Sequence, residues 1–92
     1  MEVAKSSHSE DQKHRIFESE FLPHIDAMYN FAFRITYDED SAKDLLQDTY
    51  YKAYRFIESF QEGTNAKAWL FRILKNSFIN EFRKKKYGVI EI

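Results

Sequence analysis

Residues 40–55 have the sequence DSAKDLLQDTYYKAYR. The less polar residues in and just after this stretch recur at helical spacing and form one side: Leu45, Leu46, Thr49, Tyr50, Ala53, Phe56 and Ile57. Residues three, four or seven positions apart share one face of an α-helix. Asp38 is a suitable N-cap, and Glu39 and Asp40 suit the positive first turn. The pattern predicts a helix over residues 39–58 that packs this side on a core.

The other side of the predicted helix is polar. It consists of Asp44, Gln47, Asp48, Tyr51 and Arg55. Its carboxylate and amide oxygens could accept bidentate hydrogen bonds from arginines of a partner. A solvated helix face has the same composition and, on this pattern alone, is the more common explanation. Asp44 and Asp48 could also bind a divalent ion, but the second Glu/His helix pair of a di-metal bundle is missing.

Helical spacing also continues on the N-terminal side. Ser9 and Gln12 fit a capping box at a helix start. The apolar stripe that follows consists of Ile16, Phe17, Phe21, Leu22, Ile25, Met28, Tyr29, Ala32, Phe33 and Ile35. Pro23 interrupts it, because proline removes one N–H donor and crowds the preceding turn. Pro23 therefore either kinks one long helix or opens a second one.

A loop and a last helix follow residue 58. Phe60 to Asn65 form the loop around Gly63, and Thr64 or Asn65 caps a helix from about Ala66 to Lys86, which Gly88 stops. Its expected inner edge consists of Trp69, Leu70, Ile73, Ser77 and either Phe78 or Glu81. The expected fold is all-α, a compact bundle of three to four helices with roughly antiparallel neighbours.

Composition fits one helical domain of 92 residues, with only two Gly and one Pro. The absence of Cys excludes disulfides and thiolate chemistry and weakly favours the cytoplasm. Residues 1–8 are expected to be a disordered leader, without the apolar core of a signal peptide. Residues 1–60 carry a net charge of −5 and residues 61–92 a net charge of +4. This split suggests two surfaces with different partners, although ordinary scatter of surface charge also produces such splits.

Signals of enzymatic activity are weak. The chain has no phosphate-binding glycine loop, dinucleotide-binding motif or nucleophile elbow. His8, His14 and His24 form no metal-binding pair. We therefore expect no catalytic residues, no metal and no cofactor.

The last helix combines cations, amides and aromatic rings. Such groups can neutralise phosphates, read base edges and stack on unpaired bases. Each also has a simpler explanation: Trp69 suits a core position, and the basic run Arg83–Lys86 suits a helix C-terminus. The combination suggests nucleic-acid binding without establishing it.

Residues 40–55 resemble the region 2.2 helix of bacterial sigma factors. Residues 60–83, FQEGTNAKAWLFRILKNSFINEFR, are similar to regions 2.3 and 2.4, and Phe21 to Ala32 resemble region 2.1. The resemblance covers about residues 17–86, and its details are those of the extracytoplasmic-function group of the sigma-70 family. The sequence departs from the usual pattern at Asp48, where Glu is common, and at Asn80, where Asp is frequent.

The resemblance implies a non-enzymatic role in transcription initiation. Asp44, Gln47 and Asp48, with Arg55 at the margin, would bind the clamp helices of the β′ subunit of core RNA polymerase. The loop and last helix would bind the non-template strand of the −10 promoter element, with one base flipped into a pocket. The implied DNA-binding residues are Phe60, Gly63, Thr64, Asn65, Arg72, Lys75, Asn76, Asn80 and Arg83.

The resemblance also implies an organisation and leaves alternatives. Residues 9–87 would be the region 2 domain, expected to be a monomer, with an anti-sigma factor as a further candidate partner. Residues 88–92 would be a tail or the start of a linker to region 4, which this sequence lacks; an excised domain or a truncated protein would both end in this way. The competing functions are a helical module that binds polymerase or an anti-sigma factor without reading DNA, and a metal-dependent bundle enzyme.

Overall fold

The computed structural model describes residues 9–91, with side chains for residues 9–81, and its helices confirm the predicted all-α bundle. The predicted disordered leader, residues 1–8, lies outside the described residues. In chain order the elements are helix α1 (Glu10–Ile16), a π-helical turn (Phe17–Phe21), a 3₁₀ turn (Leu22–His24), α2 (Ile25–Thr36), α3 (Glu39–Arg55), a second 3₁₀ turn (Ile57–Ser59) and α4 (Ala66–Glu91).

Local capping chemistry sets the helix starts. Ser9 and Gln12 form the predicted capping box, with the Gln12 N–H donating to Ser9 Oγ at 3.1 Å. Asp38 caps α3, since the Ser41 N–H donates to Asp38 Oδ2 at 2.9 Å. Asn65, the second of the two predicted candidates, caps α4 by accepting the Ala68 N–H at 3.0 Å.

Pro23 breaks the first long stripe into two helices joined by irregular turns. Because proline cannot donate to the preceding turn, the backbone widens into the π-helical turn and then tightens into the 3₁₀ turn that contains Pro23. These turns also change the rotation per residue, so Leu22 and Ile25 are exposed instead of continuing the stripe. A second helix thus follows Pro23, but it begins at Ile25, so Pro23 lies in the 3₁₀ turn before α2 and not at the first position of the helix.

The core lies where the N-terminal segment (Glu10–Phe21), α2, α3 and α4 meet. Its buried apolar residues are Ile16, Phe21, Met28, Ala32, Ala42, Leu45, Tyr50, Ala53, Ile57, Phe60, Ala66, Leu70 and Leu74. Ser77 and Thr49 are also buried. The inner edge of α4 thus runs through Leu70, Leu74 and Ser77. The sequence analysis missed Leu74 and placed Trp69 and Ile73, which are half-buried, too far inside.

Two further positions of the predicted stripes lie at the surface. Phe56 is 50% exposed because α3 ends at Arg55, three residues before its predicted end, and the backbone at Phe56 leaves helical geometry. Phe33 is 43% exposed and packs on Tyr29, with ring centroids 6.4 Å apart, beside the narrower stripe that faces the core. In both cases the predicted stripe was wider or longer than the surface that the neighbouring helices cover.

The last helix is longer than predicted. It continues through Gly88 to Glu91, so the expected stop at Gly88 is wrong. A single glycine inside a helix costs only about 1 kcal/mol relative to alanine, and it ends a helix mainly where it adopts the left-handed conformation. Among the described residues, no helix has both the length and the apolar character that crossing a membrane requires.

Candidate functional site

The outward side of α3 carries the residues that the sequence analysis assigned to a protein partner. Asp44, Gln47 and Arg55 are exposed, and the Asp48 side chain is 40% exposed. The helical spacing of these residues brings all four to one side of α3. This arrangement presents hydrogen-bond acceptors in the first half of the helix and a cation at its end.

Lys52 connects this side of α3 to α4. Its Nζ lies 3.0 Å from Asp48 Oδ2 and donates a 3.0 Å hydrogen bond to Oγ of Ser77, which is 1% exposed. The ammonium group thus satisfies a buried hydroxyl and holds the Asp48 carboxylate. The sequence analysis missed Lys52. The four-residue spacing from Asp48 could have indicated the ion pair, but nothing local points to Ser77.

Two exposed aromatic rings lie beside Arg55. The guanidinium donates to the Tyr51 hydroxyl at 3.4 Å and lies 5.5 Å from the centre of the Phe56 ring. Tyr51 is 61% exposed and Phe56 50% exposed. Arginine and aromatic side chains are the types that most often anchor protein interfaces. The end of α3 therefore offers an interaction surface that differs in chemistry from the acidic first half.

An open groove of about 480 Å³ borders the acidic half of this surface. Its lining combines apolar and acidic side chains: Ile35, Thr36, Ser41, Asp44, Leu45, Asp48, Phe78 and Glu81. Glu81 of α4 thus lines the same groove as two carboxylates of α3 and is exposed instead of lying on the inner edge of its helix. Within the described residues, no three His, Cys, Asp or Glu side chains are grouped so that they could hold a metal ion.

The α3–α4 loop, Phe60–Asn65, is a compact turn on an aromatic base. Gly63 has φ +89°, a conformation that side chains disfavour, and the Thr64 hydroxyl donates to the Gln61 carbonyl at 2.6 Å. Gly63, Thr64 and Asn65 are exposed as expected. Phe60 is only 4% exposed, however, so the expectation that it contacts DNA directly needs correction. Its ring packs against Trp69, with centroids 5.1 Å apart, and supports the loop from below.

The outward face of α4 carries cations and amides. Arg72, Asn76 and Asn80 are spaced four residues apart, and Lys75 lies beside them; all four side chains are exposed. This spacing brings them to one side of the helix, opposite the buried Leu70 and Leu74. The Arg83 side chain, also assigned to DNA, lies outside the described residues.

Comparison with known proteins supports the resemblance. The family model described as Sigma-70 region 2 matches residues 21–87. The chain is 39% identical over 70 residues to the ECF RNA polymerase sigma factor EcfG of Rhodopseudomonas palustris. The aligned residues cover 76% of this chain and 39% of that protein. It is 37% identical over 82 residues to the RNA polymerase sigma factor YlaC of Bacillus subtilis, covering 87% of this chain and 47% of the relative.

A further relative is the ECF RNA polymerase sigma factor SigM of Bacillus subtilis, 38% identical over 66 residues, or 72% of this chain and 40% of the relative. The chain spans less than half the length of each of these three curated relatives. The family match nevertheless includes α2, α3, the α3–α4 loop and most of α4, which carry both candidate surfaces. The chain therefore belongs to the sigma-70 family, and residues 21–87 are its region 2.

Proposed function

We propose that this chain acts in transcription initiation as region 2 of an extracytoplasmic-function sigma factor. It binds core RNA polymerase through the outward side of α3, and it recognises and helps melt the −10 promoter element through the α3–α4 loop and α4. The observation that carries the proposal is the presence of both surfaces on one bundle within the family match. One surface is rich in acceptors, and the other is rich in cations and amides.

The polymerase contact centres on Asp44, Gln47 and Asp48. Exposed carboxylate and amide oxygens on one helix side suit arginine and lysine side chains, and the β′ clamp helices are the proposed partner. Lys52 already neutralises part of the Asp48 charge, so Asp44 is the more available carboxylate for a partner cation. Arg55, with the neighbouring Tyr51 ring, would contact an anionic or planar group at the margin.

The DNA contact is divided between phosphate binding and base recognition. Arg72 and Lys75 supply cations for the phosphates of the non-template strand. Asn76 and Asn80 supply amides for base edges. Extruding one base costs a few kcal/mol of stacking and pairing, and contacts from the exposed part of the α3–α4 loop would offset that cost. Since Phe60 is buried, polar and main-chain groups of Gly63 to Asn65 would line the pocket.

In this function the chain has no catalytic activity. It acts in the cytoplasm, where the polymerase transcribes the chromosome, and it is a monomer within the transcription complex. An anti-sigma factor that competes for the α3 side is a further candidate partner.

Binding of the purified chain to a β′ clamp-helix fragment tests the polymerase contact. We expect Asp44→Arg and Asp48→Arg each to weaken binding by at least about tenfold. Each variant replaces a hydrogen-bond acceptor with a cation, which would repel the arginine and lysine side chains of the partner. Asp26→Arg, the same change at an exposed position of α2, should bind as the unmodified chain does. Equal affinity of all three variants would show that the interface lies elsewhere, and no binding by the unmodified chain would reject the polymerase contact.

A further inference from the structure

A continuous series of aromatic rings joins the N-terminal segment to the base of the α3–α4 loop. The Tyr54 ring meets Phe17 edge-on, with centroids 5.7 Å apart, and Phe17 meets Phe21 edge-on at 5.8 Å. Phe21 in turn contacts Phe60 at 5.1 Å and stacks on Trp69 at 5.3 Å. Phe60 begins the loop and Trp69 lies in the first turn of α4, so one buried ring contacts both the first residue of the loop and the helix that follows it.

Polar contacts attach the same segment to α3 and to the turn that leads into the loop. The Tyr54 hydroxyl donates to Glu10 Oε1 at 2.7 Å, and this hydrogen bond lowers the pKa of Glu10 and raises the pKa of Tyr54. Lys13 Nζ lies 3.6 Å from Glu58 Oε2. Glu58 belongs to the 3₁₀ turn directly before Phe60. The N-terminal segment is therefore held against the surroundings of the loop at several points.

We propose that the N-terminal segment, Glu10–Phe21, positions the α3–α4 loop for base recognition. Phe17, Phe21 and Tyr54 would be positioning residues. They would influence base recognition only through their effect on the placement of Phe60 and Trp69. Nearly all of this segment precedes the family match, which begins at Phe21. The inference rests on the proposed function, because it assumes that the loop recognises a base.

The physical basis is the rigidity of packed rings. Edge-to-face and stacked rings have preferred geometries, and close-packed interiors transmit small displacements instead of absorbing them. A base pocket must hold its groups to within about 0.5 Å, so a shift of Phe60 or Trp69 would disturb base preference. Phosphate contacts from Arg72 and Lys75 tolerate such shifts better, because they are less directional. Loss of the ring series should therefore reduce base preference more than total affinity.

The experiment measures base preference in a pool of short, random-sequence single-stranded DNA. The purified chain is mixed with the pool, and bound molecules are sequenced. The ratio of the most to the least favoured base is then compared at the most selective position. Phe17→Leu removes the ring contacts with Phe21, Tyr50 and Tyr54. In this variant the ratio should fall by about two- to tenfold, the scale of a single aromatic contact. Because the same folded molecules read every base, partial unfolding does not change the ratio.

Phe33→Leu is the matched control. It removes an aromatic contact of α2, the Phe33–Tyr29 pair, that does not belong to the ring series, so its ratio should equal that of the unmodified chain. Tyr54→Phe is a milder second variant, which keeps the ring and removes only the hydrogen bond to Glu10, with Tyr37→Phe at an exposed site as its control. It should lower the ratio by a smaller factor than Phe17→Leu does.

The outcomes separate the two levels of inference. If Phe17→Leu and Tyr54→Phe keep the full ratio while the unmodified chain shows base preference, the positioning role is wrong and the DNA-binding proposal stands. An equal fall in Phe33→Leu would also overturn the positioning role, because the effect would not depend on the ring series. If the unmodified chain shows no base preference, the proposed recognition by the loop is wrong and the positioning role fails with it.

Discussion

The Tyr50 hydroxyl donates a 2.7 Å hydrogen bond to the main-chain carbonyl of Phe21. This carbonyl lies where the π-helical turn gives way to the 3₁₀ turn that contains Pro23, at a break in regular α-helical hydrogen bonding. The hydroxyl from α3 gives this buried carbonyl a side-chain donor, and such a hydrogen bond contributes about 1 kcal/mol. One side chain of α3 thus bonds to the main chain of the irregular N-terminal segment.

Replacing Tyr50 with Phe should destabilise the fold. The variant keeps the ring but removes this hydrogen bond to the buried Phe21 carbonyl, at an expected cost of about 1 kcal/mol. Urea denaturation measures the free energy of unfolding. Tyr37→Phe, which removes a hydroxyl from a side chain 81% exposed, should change it by less than about 0.5 kcal/mol. Equal stabilities of both variants would contradict the role assigned to the Tyr50 hydroxyl.

The same hydroxyl should make stability fall at alkaline pH. Burial raises the pKa of Tyr50 to about 12, above the value near 10 of an unfolded chain. A raised pKa means that the folded state holds the proton more tightly, so this stabilisation is complete below pH of about 10 and is lost as pH rises toward 12. Unfolding curves across this range should show a smaller decline in Tyr50→Phe than in the unmodified chain. An identical decline would assign the effect to other groups, such as Tyr54.

Loss of the Lys52 ammonium should weaken the contact between α3 and α4. Lys52→Met keeps the aliphatic stem but removes the donor to the buried Ser77 hydroxyl, at an expected cost of about 1 kcal/mol. The control is Lys43→Met, which removes an exposed ion pair with Glu39 at the same four-residue spacing. Such exposed pairs contribute about 0.5 kcal/mol or less. The prediction is wrong if thermal denaturation shows equal losses of stability in the two variants.

Charge reversal on α4 should weaken DNA binding and reduce its salt dependence. Arg72→Glu combined with Lys75→Glu removes two proposed phosphate contacts. The logarithm of the binding constant falls with the logarithm of the salt concentration, with a slope of about −0.7 for each phosphate contact to a single strand. Loss of two contacts should therefore make this slope shallower by about 1.4. Fluorescence anisotropy with a labelled oligonucleotide measures both the affinity and this slope.

The double reversal Arg34→Glu with Lys43→Glu makes the same change of net charge at exposed sites on α2 and α3. This control variant should keep most of the salt dependence of oligonucleotide binding. If both double variants lose the same affinity and slope, only net charge matters, and the α4 contact is not specific. Unchanged oligonucleotide binding by the α4 variant would favour the alternative of an interaction module that does not read DNA.

Local sequence signals predicted much of the fold and part of the candidate site. Ser9, Asp38 and Asn65 were recognisable as caps because each cap uses a side chain and an N–H only three residues away. The polar side of α3 followed from helical spacing alone. In contrast, the surface exposure of Phe56 depended on where α3 ends, which helical spacing does not define.

The sequence by itself determined the helical class, the caps, the loop around Gly63 and the polar sides of α3 and α4, because these depend on neighbours within about one or two helical turns. Only the tertiary structure decided that Lys52 meets Ser77, that Tyr50 meets the Phe21 carbonyl, and that the Phe21 ring contacts both Phe60 and Trp69. These partners are 25 to 48 residues apart, so their contact depends on how the helices pack and on the turn that Pro23 imposes.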